Sequence, residues 1–158
     1  MMNMELTNRK SPRIPGFDYS KTNYYFVTIC SHEKECIFGK PENLNQNGKF
    51  ALECLMKIPD IYPWIRVDKY VVMPNHVHVI LIADENDMQV SIANIVGQYK
   101  MSVTKLIRKS SPEKIVWQRS FHDHIIRNQK SYEKIWNYIE DNPRKWEEDC
   151  FYSKDPIL

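Results

Sequence analysis

Apolar residues along this chain follow two different periods, and the places where the period changes mark out its elements. Asn23-Tyr-Tyr-Phe-Val-Thr-Ile-Cys30 is dense in aromatic and β-branched residues and predicts a first strand. A turn region at His32 to Lys40 comes next, with a short extension of the strand expected at Cys36 to Phe38. From Phe50 to Ile58 the apolar residues Leu52, Leu55 and Met56 fall at helical spacing and Pro59 stops the run, which predicts a first helix. Two strands, Arg66 to Met73 and His76 to Ala83, flank Pro74-Asn75, a turn signature for a hairpin. Ser91 to Lys109 predicts a second helix with the stripe Ile92, Ile95, Val96, Tyr99, Val103 and Leu106, in which Tyr99 is a packing residue. Phe121 to Arg127 alternates as a fourth strand, and Ser131 is expected to cap a third helix that Pro143 ends or kinks.

The resulting order, β-α-β-β-α-β-α, is the split arrangement of an α+β, ferredoxin-like (RRM-like) domain. It predicts an antiparallel sheet with helices on one face and the other face available. A chain of 158 residues suits one such domain. The expected division is an N-terminal arm over 1–22, the domain over 23–149 and a tail over 150–158. The opening MMNMELTNRKSPRIPG has no apolar segment that could act as a signal or span, so a cytoplasmic location is expected, with no membrane partner. Cys30, Cys36, Cys54 and Cys150 lack any C-x-x-C spacing and read as free thiols.

Charge changes the picture more by its distribution than by its sum of +2. Residues 100–145 hold eleven Lys/Arg against five Asp/Glu. A polyanionic partner such as nucleic acid and a plain solvated helix face account equally well for that excess. On the first account Lys100, Lys105, Arg108, Arg119 and Arg127 are the expected phosphate contacts, and Arg9, Lys10 and Arg13 on the arm contribute to the choice of site.

Candidate chemistry centres on VVMPNHVHVIL, residues 71–81. Strand side chains alternate, so His76 and His78 share one face while Val77, Val79 and Leu81 share the other, where the helices are expected. At about 3.3 Å of rise per residue the two histidines stand roughly 7 Å apart at the backbone, close enough for their ring nitrogens to lean onto one cation. The spacing alone leaves a chelate and a pair of hydrogen-bonded histidines both open. A second pair, His122-Asp-His124, carries a charged centre and reads as a strand edge with structural or DNA-contacting roles. In the third helix, Tyr132, Ile135, Trp136 and Ile139 form the core stripe. Tyr138 and Asn142, four apart, lie on its flank and can reach toward the sheet. An amide oxygen is an acceptable ligand for a hard cation, and a phenol is a nucleophile beside a metal. A boundary Tyr and a helix-ending Asn fit the same positions.

These segments resemble a known family. VVMPNHVHVIL resembles the HUH motif (His, hydrophobic residue, His) of the single-tyrosine transposases. VWQRSFHDHIIRNQKSYEKIWNYIEDNP is similar to the downstream signature of their REP-associated branch, in which the nucleophilic tyrosine stands four residues before an Asn or Gln that completes the metal site. The opening RKSPRIPGFDYS and YYFVTIC are similar to the start of that branch. The resemblance runs to about Asp149, and only the ending RKWEEDCFY, acidic where many relatives have a longer basic tail, departs from it.

It implies Tyr138 as nucleophile, His76, His78 and Asn142 as metal ligands, and Mg2+ or Mn2+ as cofactor. Two imidazoles by themselves favour manganese or zinc. It further implies DNA transposition on single-stranded or hairpin DNA through a 5′-phosphotyrosine, by a monomer or homodimer, with activity falling at low pH as the histidines protonate. A relaxase or replication-initiator nickase shares the motif, and a noncatalytic RNA- or single-strand-binding module shares the fold class.

Overall fold

The computed structural model describes residues 22–84 and 90–148. The expected tail and the expected arm up to residue 21, with Arg9, Lys10 and Arg13, lie outside the described residues.

Four strands form one antiparallel sheet: β1 (Thr22–Cys30), β4 (Ile65–Met73), β5 (His76–Asp84) and β6 (His122–Ile126), in the order β4-β5-β1-β6. This is the predicted ferredoxin-like α+β sheet. Between β1 and β4 run a miniature hairpin, β2 (Gly39–Lys40) and β3 (Asn43–Leu44), then α1 (Gln46–Met56) and α2 (Ile58–Ile61). Helix α3 (Ile92–Ile107) joins β5 to β6, and α4 (Gln129–Asp141) follows β6. No helix of the described residues is long and apolar enough to cross a membrane.

Alternation along β5 splits the core in two. Val77, Val79, Leu81 and Ala83 join Val27 and Ile29 of β1 under α1 and α3, whose Leu55, Ile95, Tyr99 and Val103 complete the larger cluster. The opposite side of the same strands presents Tyr24, Ile80 and Ile82, packed with Ile126 and with Tyr132 and Ile139 of α4. The second face is therefore not left available as the sequence suggested: α4 crosses it. The reason is visible in β5 itself, buried from His76 to Ala83. A strand apolar on both sides needs cover on both sides.

Helix α4 is fixed to the far edge of the sheet by a bulge. Between Val67, opposite Leu81, and Tyr70, opposite Val79, β4 carries one extra residue. The bulge residues Asp68 and Lys69 meet three α4 side chains spaced four apart. Tyr132 donates from its hydroxyl to Asp68 Oδ2 at 2.5 Å. The Lys69 ammonium lies 4.0 Å from the Trp136 ring centroid and pairs with Glu140. Burial raises the Asp68 carboxyl above its ordinary pKa, and the Tyr132 hydrogen bond pulls it back down in part.

Smaller departures are local. Asn45 caps α1 by accepting from the Gly48 amide at 2.9 Å, so the helix starts four residues before the expected Phe50. Pro59 opens the separate short helix α2, since proline fits a first turn, where its missing N–H costs nothing. Cys36 to Phe38 is not a strand, and pairing begins only at Gly39. The cap of α4 is Asn128, whose Oδ1 accepts from the Ser131 amide at 2.8 Å, and Ser131 lies inside the first turn.

Candidate active site

His76 and His78 stand on the α4 side of β5, both sealed from solvent. Their rings meet edge to face, with centroids 4.5 Å apart. Each ring is held at Nδ1. His78 Nδ1 lies 2.8 Å from the hydroxyl of Thr28, its cross-strand neighbour on β1. His76 Nδ1 lies 2.8 Å from the Oδ1 of Asn75 in the preceding turn. Anchoring at Nδ1 leaves Nε2 as the second nitrogen of each ring, buried from solvent. Burial, and secondly the neighbouring His76, hold the His78 pKa well below the usual imidazole value. His78 is therefore neutral at pH 7 with a lone pair to offer, and it stays so on acidification further than an exposed histidine would.

Helix α4, its C-cap and the turn beyond it lay three side chains, spaced four residues apart, over this pair. Tyr138 sits against His78, ring centroids 5.2 Å apart, and Trp146 sits against His76 at 6.1 Å. Asn142, the C-cap residue, is buried between them in sequence. The chain keeps its helical course past Pro143, since the Lys145 amide donates to Asp141 and Asn142, so the 138, 142, 146 spacing stacks the three on one side. Tyr138 is the accessible member, 39% exposed, whereas the two imidazoles are at 0% and 1% and Asn142 at 3%. Phe26 of β1 fills the gap below, 5.3 Å from His78 and 6.3 Å from Tyr138 by ring centroid.

The chemistry of this donor set fits a divalent cation. Two imidazoles are each fixed in orientation by a hydrogen bond at Nδ1, as metal-bound histidines are at the nitrogen away from the metal. An amide from a separate element completes a mixed nitrogen and oxygen set. No cluster of three His, Cys, Asp or Glu exists among the described residues, and Asn142 is the buried amide of the segment that follows α4.

Residues 18–142 match the family described as "Transposase IS200 like". The chain belongs to the IS200-like transposase family. A Haemophilus influenzae protein of uncharacterized function is 36% identical over 173 residues, covering 95% of this chain and 96% of its own. Another protein of that organism, provisionally named a REP-associated tyrosine transposase, is 26% identical over 137 residues, covering 81% of this chain and 74% of its own. Among solved structures, a REP-associated tyrosine transposase bound to a REP hairpin superposes with a TM-score of 0.58 at 23% identity, covering 78% of this chain and 67% of that one. That likeness bears on the fold.

The other residues singled out in this IS200-like chain are scattered. Lys105 and Arg108 belong to α3 and its C-cap, across the sheet from the histidines. Arg108 donates to the Lys114 carbonyl. Lys100 ties down the segment before β6, donating to Gln118 O at 2.7 Å and Ser120 O at 3.3 Å, and partial burial lowers its pKa. Arg119 and Arg127 are exposed at either end of β6. His122 and His124 lie opposite Thr28 and Phe26, on the edge strand and on the same face as His78, both exposed. Thr28, Phe26, Asn75 and Trp146 escaped the sequence reading. Only Asn75, beside His76 in a turn, left a local clue, because the others depend on strand register and on the path after Pro143.

Proposed function

We propose that this protein cleaves and rejoins single-stranded DNA next to a hairpin, with Tyr138 as nucleophile and a 5′-phosphotyrosine as intermediate. The observation that carries the reading is the seating of the one accessible phenol of α4 against His78, with Asn142 a turn further on. A divalent cation, Mg2+ or Mn2+, held by His76, His78 and Asn142 would supply Lewis-acid charge to the scissile phosphate.

The chain's own residues do the rest. Thr28 and Asn75 keep the imidazoles in place, Phe26 backs the phenol, and the bulge contacts of Asp68 and Lys69 hold α4 at its working height over the sheet. The Tyr138 oxygen attacks phosphorus as its proton passes to solvent, and the bond from phosphorus to the 3′ oxygen breaks. The departing oxygen takes a proton from water and leaves as a 3′-hydroxyl. One phosphodiester has been exchanged for another, so attack by a 3′-hydroxyl on the phosphotyrosine reseals the strand without ATP. His122 and His124, exposed on the edge strand and on the face of His78, are polar groups of β6 open to the incoming strand.

The hairpin preference draws support from the REP hairpin bound by the structural relative. Stiffness adds to it: duplex DNA, with a persistence length of about 50 nm, resists the bend needed to bring a phosphate between the phenol and the buried imidazoles. The test is one labelled oligonucleotide, presented as a folded hairpin with a single-stranded flank and as a full duplex, with Mn2+ at matched salt. A denaturing gel should show a protein–DNA adduct with the hairpin for the native protein and none for Tyr138→Phe. Equal cutting of both substrates, or an adduct with Tyr138→Phe, would overturn the reading.

A further inference from the structure

The turn that delivers His76 is gripped more tightly than a hairpin turn requires. The Pro74 carbonyl accepts from the amides of Ile37 and Phe38 at 3.0 and 3.1 Å, and the Asn75 carbonyl accepts from the Ser31 amide at 2.9 Å. Asn75 itself is fully buried, and its Nδ2 donates to the Lys34 carbonyl at 3.1 Å. That carbonyl is positioned by two consecutive non-glycine residues in the left-handed region, Glu33 (φ 53°) and Lys34 (φ 56°). Such backbone persists only where its surroundings dictate it. Here Lys34 N bonds Ser31 O at 3.1 Å, Glu35 N bonds His32 O at 3.0 Å, and the Ser31 hydroxyl donates to Glu35 O at 2.6 Å.

We propose that Asn75, oriented by the residue 31–38 loop, is a positioning residue that sets the tautomer of His76. The logic is one of donors and acceptors. A carbonyl can only accept, so the Lys34 oxygen fixes which end of the Asn75 amide is nitrogen. The other end, Oδ1, can only accept as well, so the His76 Nδ1 facing it at 2.8 Å carries the proton. A neutral imidazole has one proton, which leaves the lone pair on Nε2. Thr28 exerts no such control over His78, because a hydroxyl donates or accepts with equal ease. The two ligands thus differ: one is locked by a buried amide and the other follows a rotor. The assignment rests on the metal-site reading for its purpose, but not for its measurement.

The experiment is nitrogen-15 NMR of the histidine rings in the metal-free protein, followed by Mn2+ titration. In the native protein His76 should show protonated Nδ1 and bare Nε2. Asn75→Ala should let the Nε2-protonated form grow and weaken Mn2+ binding by about 10–100-fold, with the His78 signals little changed. Lys34→Gly keeps the carbonyl and suits the left-handed backbone, so it should preserve both the tautomer and the affinity. A native His76 protonated at Nε2 would overturn the assignment, whether or not Asn75→Ala folds. So would an Asn75→Ala protein with unaltered tautomer and affinity. Loss of Mn2+ binding by the native protein, with His76 still protonated at Nδ1, would remove the metal reading and leave the Asn75 assignment standing.

Discussion

Replacing Tyr132 with Phe removes one oxygen from the contact that holds α4 to the β4 bulge. The ring stays packed edge-on against Tyr24, centroids 5.4 Å apart, so the change isolates the hydrogen bond to Asp68. A hydrogen bond to a charged partner contributes about 1.5–3 kcal/mol, and one between neutral groups about 0.5–1.5. Which figure applies depends on the charge of Asp68. Its carboxyl is already raised by burial, and the Tyr132 hydroxyl is the largest influence opposing that rise. A raised folded-state pKa means that the stability linked to protonated Asp68 is present below the unfolded value and is lost as pH climbs through the folded one. Without the hydroxyl the folded value rises further, so the loss grows over that same climb.

Tyr132→Phe should therefore cost about 1.5–3 kcal/mol above the folded-state pKa of Asp68, and about 0.5–1.5 below the ordinary carboxylate pKa. At roughly 2–4 °C per kcal/mol for a chain of this size, the drop in melting temperature on the alkaline side is about 3–12 °C. Urea unfolding of both proteins at several pH values measures it. Asp68→Asn, which keeps an acceptor and removes the ionisation, should flatten the pH dependence. A Tyr132→Phe penalty of the same size at pH 4 and pH 8 would refute the reasoning.

Other substitutions separate the roles of neighbouring residues. His76→Ala or His78→Ala should abolish Mn2+ binding by calorimetry, while His122→Ala and His124→Ala retain it. Gly97→Ala meets nothing within 4 Å and should stabilise α3 by about 0.5–1 kcal/mol. A Cβ at Gly48 would stand 2.2 Å from the Phe38 carbonyl oxygen, so Gly48→Ala should destabilise by about 1–3 kcal/mol in thermal melts. Lys100→Met should lower stability by about 1 kcal/mol and leave the salt dependence of single-strand binding unchanged, because its ammonium is committed to Gln118 and Ser120.

Much of this architecture was legible from period alone. Strict alternation in His76 to Ala83 put both imidazoles on one face, and the 3.6-residue stripe in Ile92 to Ile107 placed Tyr99 in the core, where its hydroxyl donates to Ala51 O at 2.8 Å. The flank position of Tyr138 and Asn142 was legible too. Which face of the sheet α4 would cover was not, because an amphipathic stripe shows that a helix needs a partner without naming it. Ile80 and Ile82, alternating with the valines, held that information in a form easily read as ordinary strand composition. Two-residue strands such as Gly39–Lys40 are too short for any period to register. The charge of Lys100 is visible in a sequence, whereas the carbonyls it meets come from a segment eighteen to twenty residues on.

The site's histidines are synthesised well before its phenol. β1, β4 and β5 can pair as soon as Asp84 has emerged, but Tyr138 follows His78 by sixty residues and lies beyond β6. At a translation rate of about 5–20 residues per second, a nascent chain spends roughly 3–12 seconds with its imidazoles in place and no phenol to set against them. On the proposed reading, a chain interrupted before Tyr138 has no nucleophile of its own. Strand scission is thereby withheld from those products of interrupted synthesis, a safeguard that follows from the order of the elements and needs no inhibitor.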